Sequence, residues 1–574
     1  MLIKSLSKEP LERMRGHFNR LYGRRQADRC IERLVTMIGR YGVGYGVAPT
    51  EKTWDETTAV LITYADTVCQ AGKPPLATLQ HFSSTHLENL FSTIHILPFY
   101  PWSSDDGFSV IDYRRVKNSY GTWKHIKELN RHFELMFDLV LNHVSSQSSW
   151  FKNYVSEIAP YRDYFIEADP ETDLSAVVRP RSLPLLTEFP VDGKTKHLWT
   201  TFSKDQIDVN FANPDVLFEF FDILLLYIAN GAKIIRLDAI AYLWKQPGTS
   251  CIHLEQTHEV VKLMRDLLDM IAPGVIILTE TNVPHDENIS YFGNGDEARM
   301  VYNFSLPPLL LHALHNGTSR YLTPWAKSIS ETPDGCTWFN FTASHDGIGV
   351  RPLTGLVPES ELTALVDKVK ELGGQVSTKR NADGTDSPYE LNITYFDALG
   401  DDEHQIDRFL CSQTVMLGLK GVPAVYFHSL TATPNDQDGV QATGRARSIN
   451  RKKWNLEELD AELHKTGPAK KVFKEYRRRI AIRRKHGSFH PDAAQRVIDL
   501  DEDLFCFVRS ADGHRPVICI SSFSGEWKEV HLDERIAELD TPDPCTDLLS
   551  GKRYNGAGKV LTLDPYQTVW LTAG

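Results

Sequence analysis

Five stretches of this 574-residue chain put polar, chemistry-bearing side chains directly after short apolar runs. Tyr64-Ala65-Asp66, Asn142-His143 and His345-Asp346 follow such runs, and Arg236-Leu237-Asp238 and Glu280 close others. If the runs are strands of a parallel barrel, their C-terminal ends surround one mouth, where four carboxylates, two histidines and an arginine meet. Glycosyl transfer with retention needs two carboxylates at ~5 Å, one to attack the anomeric carbon and one to protonate the leaving oxygen. Asp238 and Glu280, at the ends of neighbouring strands, suit those roles. Arg236 lies two residues before Asp238, hence on the same side of the strand, where its charge would keep a nucleophile ionised. One strand-end carboxylate alone more often caps the following helix. The repetition along the chain carries the catalytic reading.

The positioning elements are eight β-branched, apolar runs of the kind that fill buried parallel strands: 59–63, 93–98, 135–141, 233–238, 275–280, 299–304, 338–342 and 422–427. Most are separated by room for a helix, as at 217–229 and 255–271, and this alternation predicts an α/β fold, a (β/α)8 TIM barrel over 51–489. Two gaps exceed a crossover and predict insertions, a B-like subdomain at 144–232 after the third strand and an acceptor-loop subdomain at 350–421 after the seventh. Residues 1–50 read as a helical N-terminal extension. After about residue 490 alternating runs such as 504–508, 517–520 and 569–571 predict a small antiparallel β domain.

Net charge of −12 argues against a nucleic-acid partner. The N-terminus lacks a long apolar core with a small-residue cleavage site, and no later stretch reaches ~18 uncharged apolar residues, so no membrane association is expected. The eight cysteines show no C-x-x-C pair and read as reduced packing thiols, which favours a cytoplasmic location. Calcium-loop, H-E-x-x-H and cysteine-cluster metal patterns are missing, and displacement at an anomeric carbon needs no metal. Assembly into a homo-oligomer is left open by the sequence.

In order and spacing, Tyr64-Ala65-Asp66, Asn142-His143, Arg236-Leu237-Asp238-Ala239, Thr279-Glu280 and Ser344-His345-Asp346-Gly347 resemble the signature regions of the α-amylase superfamily of glycoside hydrolases, from about residue 55 onward. More narrowly, 95–100, Asp106-Gly107-Phe108, Arg179-Pro180-Arg181, 247–251, 306–313 and 447–451 look like its sucrose phosphorylase branch, which uses inorganic phosphate as co-substrate in place of water. The resemblance implies Asp238 as nucleophile, Glu280 as acid/base and Asp346 as the carboxylate that holds sugar hydroxyls and steadies the oxocarbenium-like transition state. It assigns terminal-glucose binding to Asp66, His143, Arg236, His345 and Arg447, sets Tyr242 against the intermediate, and gives Arg181 to phosphate. It implies no cofactor.

Specificity falls on 378–390, expected to form a loop over the acceptor with Tyr389, Glu390 and Asp386 at the phosphate or acceptor side. That loop, with 178–187, looks like phosphorylases of glucosylglycerol, glucosylglycerate and sucrose 6′-phosphate. Anionic acceptors call for basic lining. Lys379 and Arg380 suit one, whereas Asp386, Glu390 and Glu188 in or beside the same loops would repel it. On that balance neutral 2-O-α-glucosylglycerol is favoured, then glucosylglycerate, then sucrose 6′-phosphate and sucrose. An α-glucoside hydrolase would share every barrel residue and differ in admitting water, and an inactive carbohydrate-binding protein would lack glucosyl transfer.

Overall fold

Eight parallel strands close into a barrel in the computed structural model, which describes residues 8–41, 53–381, 383–531, 545–554 and 560–573. In chain order they are β1 (Val60–Thr63), β2 (Thr93–Ile96), β3 (Glu134–Val140), β4 (Ala232–Asp238), β5 (Ile276–Thr279), β6 (Met300–Tyr302), β7 (Thr337–Phe341) and β8 (Val422–Tyr426). Each pairs with its chain neighbours, and β1 also pairs with β8 to complete the ring. All eight predicted runs are these strands. They read clearly because helices cover them on one side and packed side chains fill the other, so alternation gives way to continuous apolar sequence.

Strand register sets which side chains reach the mouth. Val140 of β3 pairs with Asp238 of β4, and Thr279 of β5 pairs with Leu237. Asp238 and the Glu280 that follows β5 therefore stand at one level.

Two helices, α1 (Lys8–Tyr22) and α2 (Arg24–Tyr41), precede the barrel and bury Phe18, Leu34 and Ile38. Phe18 stacks on Phe218 of the barrel helix α3 (Pro214–Ala229), with ring centroids 6.0 Å apart. The Gly-rich run after Tyr41 lies outside the described residues.

The segment after β3 holds an antiparallel hairpin, Leu186–Val191 with Lys194–Trp199, before returning through α3. The segment after β7 forms a second hairpin, Gln375–Arg380 with Asp386–Asn392, and returns through the barrel helix Gln405–Gly418. Thus 378–390 is not a plain loop but the far half of a β-hairpin, tied to the barrel because Ile348 and Gly349 pair with Leu391 and Glu390. Beyond the barrel, antiparallel strands form a six-stranded sheet around Val508, Ile520 and Leu571.

Two glycines are required by the mouth. Gly107 has φ +120°, and a Cβ there would sit 2.7 Å from the Pro98 carbonyl oxygen. Gly347, at φ +103°, would place a Cβ 2.6 Å from the Leu391 carbonyl oxygen. Any other residue would push the Asp105–Asp106 turn or Asp346 out of place.

Candidate active site

The strand ends open into a cavity lined mainly by polar and aromatic side chains. Asp238, Glu280, Asp346, His143, His345, Tyr242, Arg181, Tyr389, Glu390 and Arg447 all line it. These residues come from seven separate regions of the chain, four of them at or just after the ends of barrel strands.

At its floor, Arg236 is fully buried and organises the carboxylates. Its Nη1 lies 2.7 Å from Asp238 Oδ1 and also donates to Asp138 Oδ1, while Nη2 is 3.8 Å from Glu280 Oε2. Both carboxylates thus lie within 4 Å of one guanidinium, although they differ in how it holds them. Asp238 accepts a direct charge-assisted bond. Glu280 instead accepts from the Ala239 backbone N–H at 3.0 Å. Burial and neighbouring carboxylates push both groups upward, against the pull of Arg236. Two such groups titrate as a pair, and of the two Glu280 lacks the direct guanidinium bond.

Asp346 behaves oppositely. Burial works against its charge, yet Arg447, at 2.7 Å from Oδ1, together with Arg451 holds it well below the usual carboxylate range. Arg447 turns its other edge to Glu390 in a bidentate pair, Nε–Oε1 2.9 Å and Nη2–Oε2 2.7 Å. It is therefore a buried clamp. Burial raises Glu390 against the pull of Arg447.

Burial lowers both histidines, leaving them neutral. His143 donates from Nε2 to the Phe108 carbonyl at 2.9 Å, and His345 stacks on the Phe108 ring at 4.7 Å. Tyr242 follows Ala239, whose φ of +51° turns the chain sharply after Asp238, and its ring meets Phe202 edge-on at 5.5 Å. Arg181 reaches over Tyr389, its guanidinium carbon 5.3 Å from the ring centroid.

Two predicted residues stand elsewhere. Asp66 does not line the cavity; its carboxylate is ion-paired with Lys453. Asp386 is likewise absent from the lining and sits at the solvent end of its strand, 3.0 Å from Arg380. The Asp66 position is taken instead by the neighbouring turn: Asp105 lines the cavity, and Asp106 binds Arg451 at 2.7 Å. Phe108, Phe202 and Asn282 also line it. The motif Asp106-Gly107-Phe108 was the available signal, and its glycine marks a turn that only structure aims inward.

The α-amylase catalytic-domain model matches residues 87–348. Glucosylglycerate phosphorylase of Escherichia coli (strain K12) is 47% identical over 530 residues, 91% of this chain and 93% of that protein. The chain belongs to the α-amylase family. Its likeness to that protein places it among the family's phosphorylases, which are hexosyltransferases. Glucosylglycerol phosphorylase of Marinobacter adhaerens is more distant, 28% identical over 66% of this chain and 79% of that protein. Among solved structures, sucrose 6F-phosphate phosphorylase from Thermoanaerobacter thermosaccharolyticum superposes with a TM-score of 0.72 at 25% identity, over 90% of this chain and all of that one.

Proposed function

We propose that the chain is a retaining glucosylglycerate phosphorylase that interconverts glucosylglycerate plus inorganic phosphate with α-glucose 1-phosphate plus glycerate. Asp238 attacks the anomeric carbon as Glu280 delivers its proton to the departing glycerate oxygen, leaving a glucosyl ester on Asp238. Phosphate then displaces the ester and returns a proton to Glu280. Asp346, His143, His345 and Arg447 surround the glucose, and Arg236 keeps the nucleophile ionised. Arg181 offers a planar fork to phosphate.

The observation that carries the acceptor is the charge balance of the mouth. Sequence analysis sets Asp386, Glu390 and Glu188 against an anionic acceptor. Glu390 is neutralised by the Arg447 clamp, Asp386 by Arg380, and Glu188 stands exposed beside His197 at 3.2 Å. Arg181 remains on the cavity wall, and Arg351 lies behind Tyr242 and Tyr389, with its Nη1 buried and unpartnered. This favours a carboxylate over neutral glycerol, in line with the 47% identity to a glucosylglycerate phosphorylase. The preference for glucosylglycerol drawn from sequence alone loses its basis. The free thiols of Cys30, Cys251, Cys336, Cys411, Cys506 and Cys519, all buried, suit a reducing, cytoplasmic setting.

The test is synthesis from α-glucose 1-phosphate with D-glycerate, glycerol, fructose or fructose 6-phosphate, following phosphate release. Glycerate is expected to exceed glycerol by at least about tenfold in kcat/KM, one charge-assisted contact's worth. Faster transfer to glycerol would overturn the acceptor. Release of glucose instead of glucose 1-phosphate in phosphate buffer would overturn phosphorolysis.

A further inference from the structure

A second cleft opens beside the cavity, between two segments that both contribute to it. One wall is 174–184, which carries Arg181; the other is the tip of the hairpin that carries Tyr389 and Glu390. The two lining sets share no residue. Arg179 projects from the first wall, and Lys379 and Arg380 from the second; no acidic side chain lines the cleft.

This arrangement is unusual in a chain of net charge −12. Arg380 shares its charge with Asp386 at 3.0 Å. Arg179 donates to the Leu183 carbonyl, which braces its loop without neutralising it, and it faces Arg380. Lys379 has no ion-pair partner among the described residues; Glu287 is the acid that acts on it, opposed by Arg351. Asp173 stands next to the cleft but accepts from the Ser175 backbone N–H at 3.0 Å. Arg179 and Arg380, from two independent loops, therefore oppose each other, and Lys379, Ser175 and Ser182 share the lining. Such a cluster is stable when an anion sits within it.

We propose that this cleft is an outer anion site that captures inorganic phosphate, or the phosphate group of glucose 1-phosphate, before it reaches Arg181. A phosphate there spans both walls and draws together the loops that carry Arg181 and Tyr389. The inference needs only that the enzyme uses phosphate and is independent of which acceptor it takes.

Steady-state phosphorolysis by Lys379→Ala, Lys379→Glu and Lys379→Arg tests it. The alanine variant is expected to lose about five- to tenfold in kcat/KM for phosphate, the glutamate variant more, with kcat within about twofold, since capture acts on association. Lys379→Arg restores the wild-type value. The salt dependence of kcat/KM flattens in Lys379→Ala, whereas glucosyl transfer to water without phosphate stays unchanged. Binding is read separately by phosphorus NMR titration of inorganic phosphate into Arg181→Ala, which lacks the inner contact. Saturable binding that Lys379→Glu abolishes supports the site. Unchanged kcat/KM for phosphate in the alanine and glutamate variants, equal losses with water and phosphate, or no saturable binding in Arg181→Ala would overturn it. Failure of glycerate as acceptor would leave each of these readouts intact.

Discussion

Replacing Glu280 by Gln removes one proton while preserving nearly every contact. The amide oxygen still accepts from Ala239 N–H, whose bond to Glu280 Oε2 is 3.0 Å, and Arg236 Nη2, 3.8 Å away, makes no direct bond that would be lost. The effect therefore isolates acid/base catalysis, about 10²- to 10⁴-fold for a positioned group. That loss should depend on the leaving group. Glycerate departs as an alkoxide and needs the proton fully, so cleavage of glucosylglycerate falls by the whole factor. Phosphate departs readily as an anion, so formation of the glucosyl enzyme from glucose 1-phosphate falls much less. Rapid-quench measurement of glucosyl-enzyme formation from the two donors separates the steps. The pH profile gives a second reading: burial and Asp346 raise Glu280, so wild-type phosphorolysis holds above the ordinary carboxylate range and declines on an alkaline limb as Glu280 deprotonates. Gln has no proton to lose, and that limb disappears. Equal losses with both donors, or an alkaline limb that survives, would show that Glu280 is not the acid.

Arg447→Met leaves Glu390 and Asp346 unpaired in a buried site, and kcat/KM for glucosylglycerate should fall about 10²- to 10³-fold, the scale of breaking a buried ion pair; steady-state kinetics decide this, and a loss below tenfold would reduce Arg447 to a spectator. Asp138→Asn should destabilise the fold by about 3–5 kcal/mol, because Asp138 is fully buried between Arg236 and His95, the latter at 2.7 Å, and a lowered urea midpoint reads it. Asp346 ionises more readily in the fold than in the open chain. Its stabilisation is complete above the ordinary carboxylate value of 3.8 and fades as pH falls toward its depressed value, so Asp346→Asn should flatten the acid limb of a stability–pH curve. Arg181→Lys keeps the charge but loses the fork and should raise KM for phosphate about tenfold while leaving transfer to water unaltered.

The barrel and the convergence of Asp238, Glu280 and Asp346 on one cavity were legible because both follow from local pattern: buried parallel strands leave apolar runs, and polar groups come at their ends. Even β6, with three paired residues, stood out. What stayed hidden depends on distant pairing. No spacing joins Glu390 to Arg447 or Asp106 to Arg451, each pair set by how separate loops return over the mouth. Asp386 and Glu390 lie four residues apart on one strand, yet the first is 39% exposed and the second 1%, because the strand runs outward from its anchor at Ile348 and Gly349. A sequence reading that treats 378–390 as one loop weighs their charges alike. Asp66 failed for a related reason: its partner Lys453 lies 387 residues away.

Charge polarity between floor and rim ties these details together. Around the floor, Asp106, Asp138, Asp238, Asp346 and Glu390 outnumber the arginines paired with them, Arg236, Arg447 and Arg451. An excess of fixed negative charge favours the positive oxocarbenium-like transition state, which explains a site built from so many buried carboxylates. The same excess repels incoming phosphate, which is at least a monoanion near neutral pH. A hydrolase with this floor faces no such conflict, since water is neutral. A phosphorylase must supply cations without placing them beneath the sugar, where they would oppose the transition state. In this chain Arg179, Arg181, Arg351 and Lys379 lie on or behind the insertions, not at the strand ends. The insertions after β3 and β7 therefore do more than cover the mouth. They bring Arg179, Arg181, Lys379 and Arg380 to the rim, and under the proposed function that positive charge is what admits an anion to an acidic glucosyl site.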